Sequence, residues 1–121
     1  MANELTIGMS LAYDDGVSSD EIVVSGLIDS LTTATFNRAA AFVVSHSADT
    51  AIPLGSVSAP SWLAVKNLDA NNFVTIKDAS AGNIIAKIRA GKCGLIPLPA
   101  AATAPYARAD TGDVKCDFLI C

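Results

Sequence analysis

A hydrophobic period of two runs through nearly the whole chain, and it constrains the fold more than any other feature. Leu5, Ile7, Met9, Leu11 and Tyr13 alternate with Thr6, Gly8, Ser10 and Ala12. In an extended strand this puts the large apolar side chains on one face and predicts that this face rests on a core. Asp14-Asp15-Gly16 then reads as a turn. A second β-rich stretch, Glu21 to Ser30, carries Gly26 in its interior, where glycine signals a bulge or bend. Thr32 to Phe36 and Ala41 to Ser47 continue the β character. Ala39-Ala40-Ala41 is the one place where a helical turn is credible, and it is too short to stand alone.

Pro53, Gly55 and Pro60 interrupt the pattern, so the segment around them reads as an extended connection with an isolated pairing near Ile52 to Val57. Trp62 to Leu68 is a strand, Asp69-Ala70-Asn71-Asn72 closes a predicted hairpin, and Phe73 to Lys77 returns. Ile84 to Ala90, Cys93 to Leu98, Tyr106 to Ala109 and Asp113 to Cys121 follow as strands, with Gly91-Lys92 as a tight turn. Pro97 and Pro99 mark an edge or a strand end. Val114, Cys116, Phe118 and Ile120 share one side of the last strand. About eight or nine short strands at a spacing of roughly 8–12 residues predict an all-β antiparallel sandwich, jelly-roll-like or immunoglobulin-like, with residues 1–121 as a single domain.

Composition narrows the function classes. The net charge of −4 argues against a nucleic-acid or membrane partner held by a basic patch. No stretch approaches the ~18 apolar residues of a membrane span, and Met1-Ala2-Asn3-Glu4 has no signal-peptide character, so synthesis in a cytoplasm is expected. Only 17% of residues are charged while 51% are hydrophobic, more apolar or neutral surface than a solitary molecule needs. Residues 1–60 hold seven acids and one base, and residues 61–121 hold five acids and seven bases. This asymmetry reads as solvated faces or as complementary patches that meet between copies of the chain.

The residue sets that catalysis needs are missing, so no catalytic, cofactor-binding or metal site is assigned and the chain is not expected to be an enzyme. The single histidine, His46, reads as a strand or loop residue rather than a general base. Gly91-Lys92-Cys93-Gly94 has the wrong spacing for a phosphate cradle. Asp14, Asp15, Asp20 and Glu21 lack the spacing of a calcium loop and read as a solvated turn. Cys93, Cys116 and Cys121 are too few to pair off completely and read as reduced thiols, with Cys121 the candidate for a link to another chain. Trp62 and Phe73 sit at strand starts and read as core aromatics, with a sugar-stacking platform as the alternative. Asn67 and Asp69 are placed to bond turn amides. Tyr106 and Arg108 share a face beside Asp110 and suit either a neighbouring subunit or an intrachain contact that anchors the last strand.

Several segments of the second half together carry a resemblance. These are the predicted hairpin from Trp62 to Ile76 (WLAVKNLDANNFVTI), the strand from Ile84 to Ile88, Gly91 to Leu98 (GKCGLIPL), and Tyr106 to Asp110 (YARAD) before a closing strand. This arrangement resembles small structural proteins of tailed bacteriophages, and Met1 to Leu5 fits their start. The likeness covers roughly residues 60–121 and is loose before that; Cys116 and Cys121 are not part of the pattern. It implies a virion protein with a β-sandwich; taken together with the low charge and high apolar content, the first expectation is a protein that decorates or cements the head shell. Its partners would be itself, as a homo-oligomer with a trimer favoured, and the major capsid protein. Trp62, Phe73, Tyr106 and Arg108 are the candidate intersubunit contacts. Alternatives are a tail, neck or fibre-base component, and, from another class, a carbohydrate-binding module for host attachment.

Overall fold

Alternating apolar residues form strands here throughout, and the described residues contain no helix. The computed structural model describes residues 4–30, 36–98 and 104–121. Thr32, Thr33 and Thr35 of the expected β-rich run, and most of the loop expected after Pro99, lie outside the described residues.

Ten strands are present among the described residues, and the chain divides into two compact units, residues 1–34 and residues 35–121. The first unit is a two-stranded antiparallel ribbon of β1 (Glu4–Asp14) and β2 (Ser19–Ser30). Ile7 faces Leu27 and Met9 faces Val24, so β2 carries one extra residue at Ser25-Gly26, the bulge that Gly26 signalled.

The second unit is a sandwich of β3 (Asn37–Val44), β4 (Thr50–Ala51), β5 (Trp62–Asn67), β6 (Val74–Lys77), β7 (Ile84–Ile88), β8 (Cys93–Pro97), β9 (Tyr106–Ala109) and β10 (Val114–Ile120). One sheet has the order β3-β10-β5-β8 and the other β4-β9-β6-β7, all neighbours antiparallel. Pairing is nested in each sheet: β3 with β10, β5 with β8, β4 with β9, β6 with β7. A chain doubled back on itself and then rolled up gives this order, so the sandwich is a jelly roll.

The core lies between the sheets. Val44, Leu63, Val65, Cys116, Phe118 and Ile120 from one sheet meet Val74, Ile76, Ile88, Ala107 and Ala109 from the other. Phe42 packs edge-on against Phe118, with ring centroids 6.1 Å apart. The alternation of Val114 to Ile120 is as the sequence predicts, with even positions buried.

Two local expectations are corrected. Trp62–Asn67 and Val74–Lys77 do not form a hairpin, because β5 and β6 belong to different sheets. The buried faces of the two strands, Leu63 and Val65 on one and Val74 and Ile76 on the other, oppose each other across the core, and residues 68–73 arch from sheet to sheet. The Ala39-Ala40-Ala41 segment is strand, not a helical turn. It holds a bulge opposite Asp117, with Ala41 at a φ of 49°.

Candidate functional site

The ribbon is built from its turn outward. Asp14 accepts a hydrogen bond from the Gly16 N–H (2.8 Å), and Asp15 accepts from the Val17 (2.9 Å) and Ser18 (2.7 Å) N–H groups. The two backbone bonds, Ser18 first, hold the Asp15 carboxyl down to about 2. Gly16 supplies the positive φ, 83°, that the turn requires. Asp14 and Asp15 therefore spend oxygens on turn amides, and among the described residues no group of three or more His, Cys, Asp or Glu side chains is placed to hold a metal.

Partners directly opposite in an antiparallel pair share a face. Met9 with Val24, Leu11 with Ile22 and Tyr13 with Asp20 therefore define one face of the ribbon, and Ser10 with Val23, Ala12 with Glu21 and Asp14 with Ser19 define the other. The first face is apolar, and it is open: Met9 is 56% exposed, Leu11 73%, Tyr13 61% and Ile22 66%. Every residue from Gly8 to Val23 is exposed. The expectation that this stretch of β1 rests on a core is overturned. Residues 1–34 carry Glu4, Asp14, Asp15, Asp20, Glu21 and Asp29 and no Lys or Arg. The remaining chain, 35–121, carries eight bases and six acids, so the charge asymmetry of the sequence falls at the boundary between the two units.

A second open surface is the outer face of the β3-β10-β5-β8 sheet. One row across it reads Arg38, Leu119, Ala64, Leu95, and the next pairs Asp117 with Lys66 and Lys66 with Cys93. Lys115 stands opposite Val43. Val43 (50%), Leu95 (39%) and Leu119 (38%) are exposed among these cations. Sequence reasoning missed this surface. Its signal is present: Leu119 and Leu95 occupy the phase that Lys115 and Lys66 occupy elsewhere on the same sheet.

The four candidate contact residues do not converge. Trp62 lies on this outer face, half-buried, opposite Pro97. Tyr106 and Arg108 lie on the outer face of the other sheet, opposite Lys77 and Thr75. Phe73 sits in the arch, half-buried, with the Lys87 Nζ 3.7 Å from its ring centroid. Neither aromatic joins the buried core that their strand-start positions suggested. A sugar stacking on that side of Phe73 would have to displace the ammonium.

Arg108 has an intrachain role, holding the 46–49 loop. Its Nε donates to the His46 carbonyl (3.3 Å), its Nη2 to the Ser47 carbonyl (3.4 Å), and its Nη1 lies 3.6 Å from Asp49. Asp49 also accepts from Lys77 Nζ (3.0 Å) and from the Ala81 N–H (2.6 Å), so it joins two loops to the sheet. The Ala81 bond, then Lys77, hold its carboxyl below the usual range. His46 Nδ1 lies 2.7 Å from Asp113, which is itself held low by that contact. The pair is exposed, and no serine or cysteine bonds to the ring among the described residues.

Of the thiols, Cys93 is exposed, while Cys116 and Cys121 are buried. Desolvation inside the sandwich pushes Cys116 up to about 12, so it is a packing residue rather than a nucleophile. Cys121, taken from the sequence as a terminal thiol open to another chain, is corrected. It is only 8% exposed, and its backbone is tied down: its carbonyl accepts the Ser61 and Trp62 N–H groups and its own N–H bonds the Trp62 carbonyl.

Compared with models of protein families, with curated proteins and with solved structures, the chain matches none of them.

Proposed function

We propose that the chain is a non-catalytic structural protein of a tailed-phage virion, made in the host cytoplasm, which decorates or cements the head shell as a small symmetric oligomer, a trimer. Its partners are its own copies and the major capsid protein. The observation that carries this reading is the open apolar face of the ribbon. A lone two-stranded ribbon is marginally stable in water, and a row of Met9, Leu11, Tyr13 and Ile22 left in solvent on such a ribbon marks a surface made to be covered. Burying Leu11 and Ile22 alone is worth roughly 3–6 kcal/mol at ~1.5–3 kcal/mol for each side chain. The jelly roll supports the reading only as a class, since viral capsid subunits share that architecture with lectins and cupins. The resemblance of residues 60–121 to phage structural proteins supplies the rest.

The test is a cryo-EM reconstruction of the phage particle whose genome encodes the chain. Jelly-roll density on the outer surface of the head, in contact with the shell subunits, is the expected result. Density confined to tail, neck or fibre base replaces the head assignment with a tail one. A particle that lacks the chain altogether removes the virion reading.

A further inference from the structure

The two open surfaces are complements. The ribbon offers an apolar row, Met9, Leu11, Tyr13 and Ile22, with Asp20 on the same face. The β3-β10-β5-β8 face offers an apolar row, Leu119, Ala64, Leu95, with Lys66 in the row beside it and Lys115 one row beyond on the same side. We propose that the ribbon of one copy lies across the outer face of the β3-β10-β5-β8 sheet of a second copy, with Leu11 and Ile22 on the Leu119–Leu95 row and the ribbon's carboxylates toward Lys66 and Lys115.

Charge selects this occupant and this face. The ribbon unit holds six acids and no base, so two ribbons repel each other. Of the two outer faces of the sandwich, that of the β4-β9-β6-β7 sheet has Lys77 and Arg108 already beside Asp49. On the β3-β10-β5-β8 face, Arg38, Lys66 and Lys115 take part in none of the ion pairs among the described residues. Its one carboxylate, Asp117, accepts the Ala41 N–H at 2.8 Å. The contact joins two different patches, so it is heterologous, and it closes into a ring when the rotation between copies allows. The inference rests on reading the exterior as an assembly surface, and it supplies the contact between copies.

Two variants of the full chain test it by light scattering at micromolar concentration and low salt. The ribbon variant carries Leu11→Lys with Ile22→Lys; the face variant carries Lys66→Glu with Lys115→Glu. All four positions are exposed, and circular dichroism and the urea midpoint check that the sandwich is intact. The wild type is expected to be oligomeric and each variant alone monomeric, with association weakened at least tenfold. An equimolar mixture of the two is expected to regain a 1:1 complex, because one partner still has a sound ribbon and the other a sound face. A ribbon variant of wild-type mass overturns the proposal. So does a face variant that keeps the wild-type mass, which is the result a ribbon-to-ribbon contact gives, and so does a mixture that stays monomeric. A monomeric wild type overturns it as well. None of these results touches the particle reconstruction, on which the virion reading stands or falls separately.

Discussion

Asn67 is the one fully buried polar side chain of the described core, and its surroundings use all of it. Its Nδ2 donates to the carbonyls of Asn72 (2.9 Å) and Ile88 (3.2 Å), and its Oδ1 accepts the Asp69 N–H (2.9 Å). Asp69 in turn accepts the Asn71 and Asn72 N–H groups at 2.9 and 2.6 Å. The turn-shaping role read from these two residues is therefore what they perform, at an arch rather than a hairpin. Asn67→Ala leaves two carbonyls and an amide in the sandwich without their partner. A loss of about 2–3 kcal/mol in urea unfolding is expected, at ~1–3 kcal/mol for each group left unmet and with relaxation offsetting part of the sum. Asn67→Asp is expected to be no better, since a carboxylate keeps the acceptor but loses both donated bonds. A neutral result for Asn67→Ala would mean that water replaces the amide.

Acid sensitivity also belongs to single residues. Asp49, Asp69 and Asp113 are held below the usual carboxyl range, first by the Ala81 N–H, the Asn72 N–H and the His46 ring respectively. A carboxyl lowered in the folded state stabilises it fully above the unfolded value of about 3.9, and that contribution is lost as pH falls through the folded value. The melting temperature is therefore expected to be flat with respect to these groups from pH 7 to 5 and to drop below about pH 4. Asp49→Asn should lower the plateau and make the acid drop shallower. An unchanged acid limb in that variant would remove Asp49 from the account.

At the scale of elements, the bulge in β3 concentrates backbone strain. Ala41 takes a φ of 49° and its N–H bonds Asp117. A side chain in the left-handed region costs roughly 1–2 kcal/mol, and glycine avoids that at an entropic cost of its own. Ala41→Gly is thus expected to raise stability by about 0.5 kcal/mol in chemical unfolding, and Ala41→Val to lower it. Loss of stability in the glycine variant would show that the bulge is not strained. The same element shows what a sequence can convey. The sequence marks Ala41 to Ser47 as β-rich, yet three alanines at 39–41 look alike in a helical turn and in a bulged strand. What decides is Asp117, 76 residues away, capping the amide. Asn67-Leu68-Asp69 likewise announces a turn without saying whether it joins neighbours in one sheet or crosses between two, because Asx bonding serves both. The phase of β10 was legible throughout, since one face of that strand is wholly buried.

For the whole molecule, the period-two pattern of β1 marks an apolar face but not what covers it. Leu11 in a private core and Leu11 beneath a neighbouring copy have the same neighbours in sequence. Charge adds only the kind of cover that suits it, because all of the acid excess lies in one unit and the base excess in the other. Association through the proposed ribbon-on-sheet contact therefore has two parts with opposite responses to salt. The Debye length shortens from about 10 Å at 0.1 M to about 3 Å at 1 M, which screens the exposed carboxylates from Lys66 and Lys115. Exposed pairs are worth roughly 0.2–1 kcal/mol each, so sodium chloride over this range should weaken association about three- to tenfold, not abolish it. Burial of the Leu11 and Ile22 row persists, and sodium sulfate, which strengthens apolar burial, should recover part of the loss. Sedimentation or light scattering across the two salts measures both effects. Association that rises steadily in sodium chloride would leave only the apolar row as its source and remove the charge argument for choosing this face over the other.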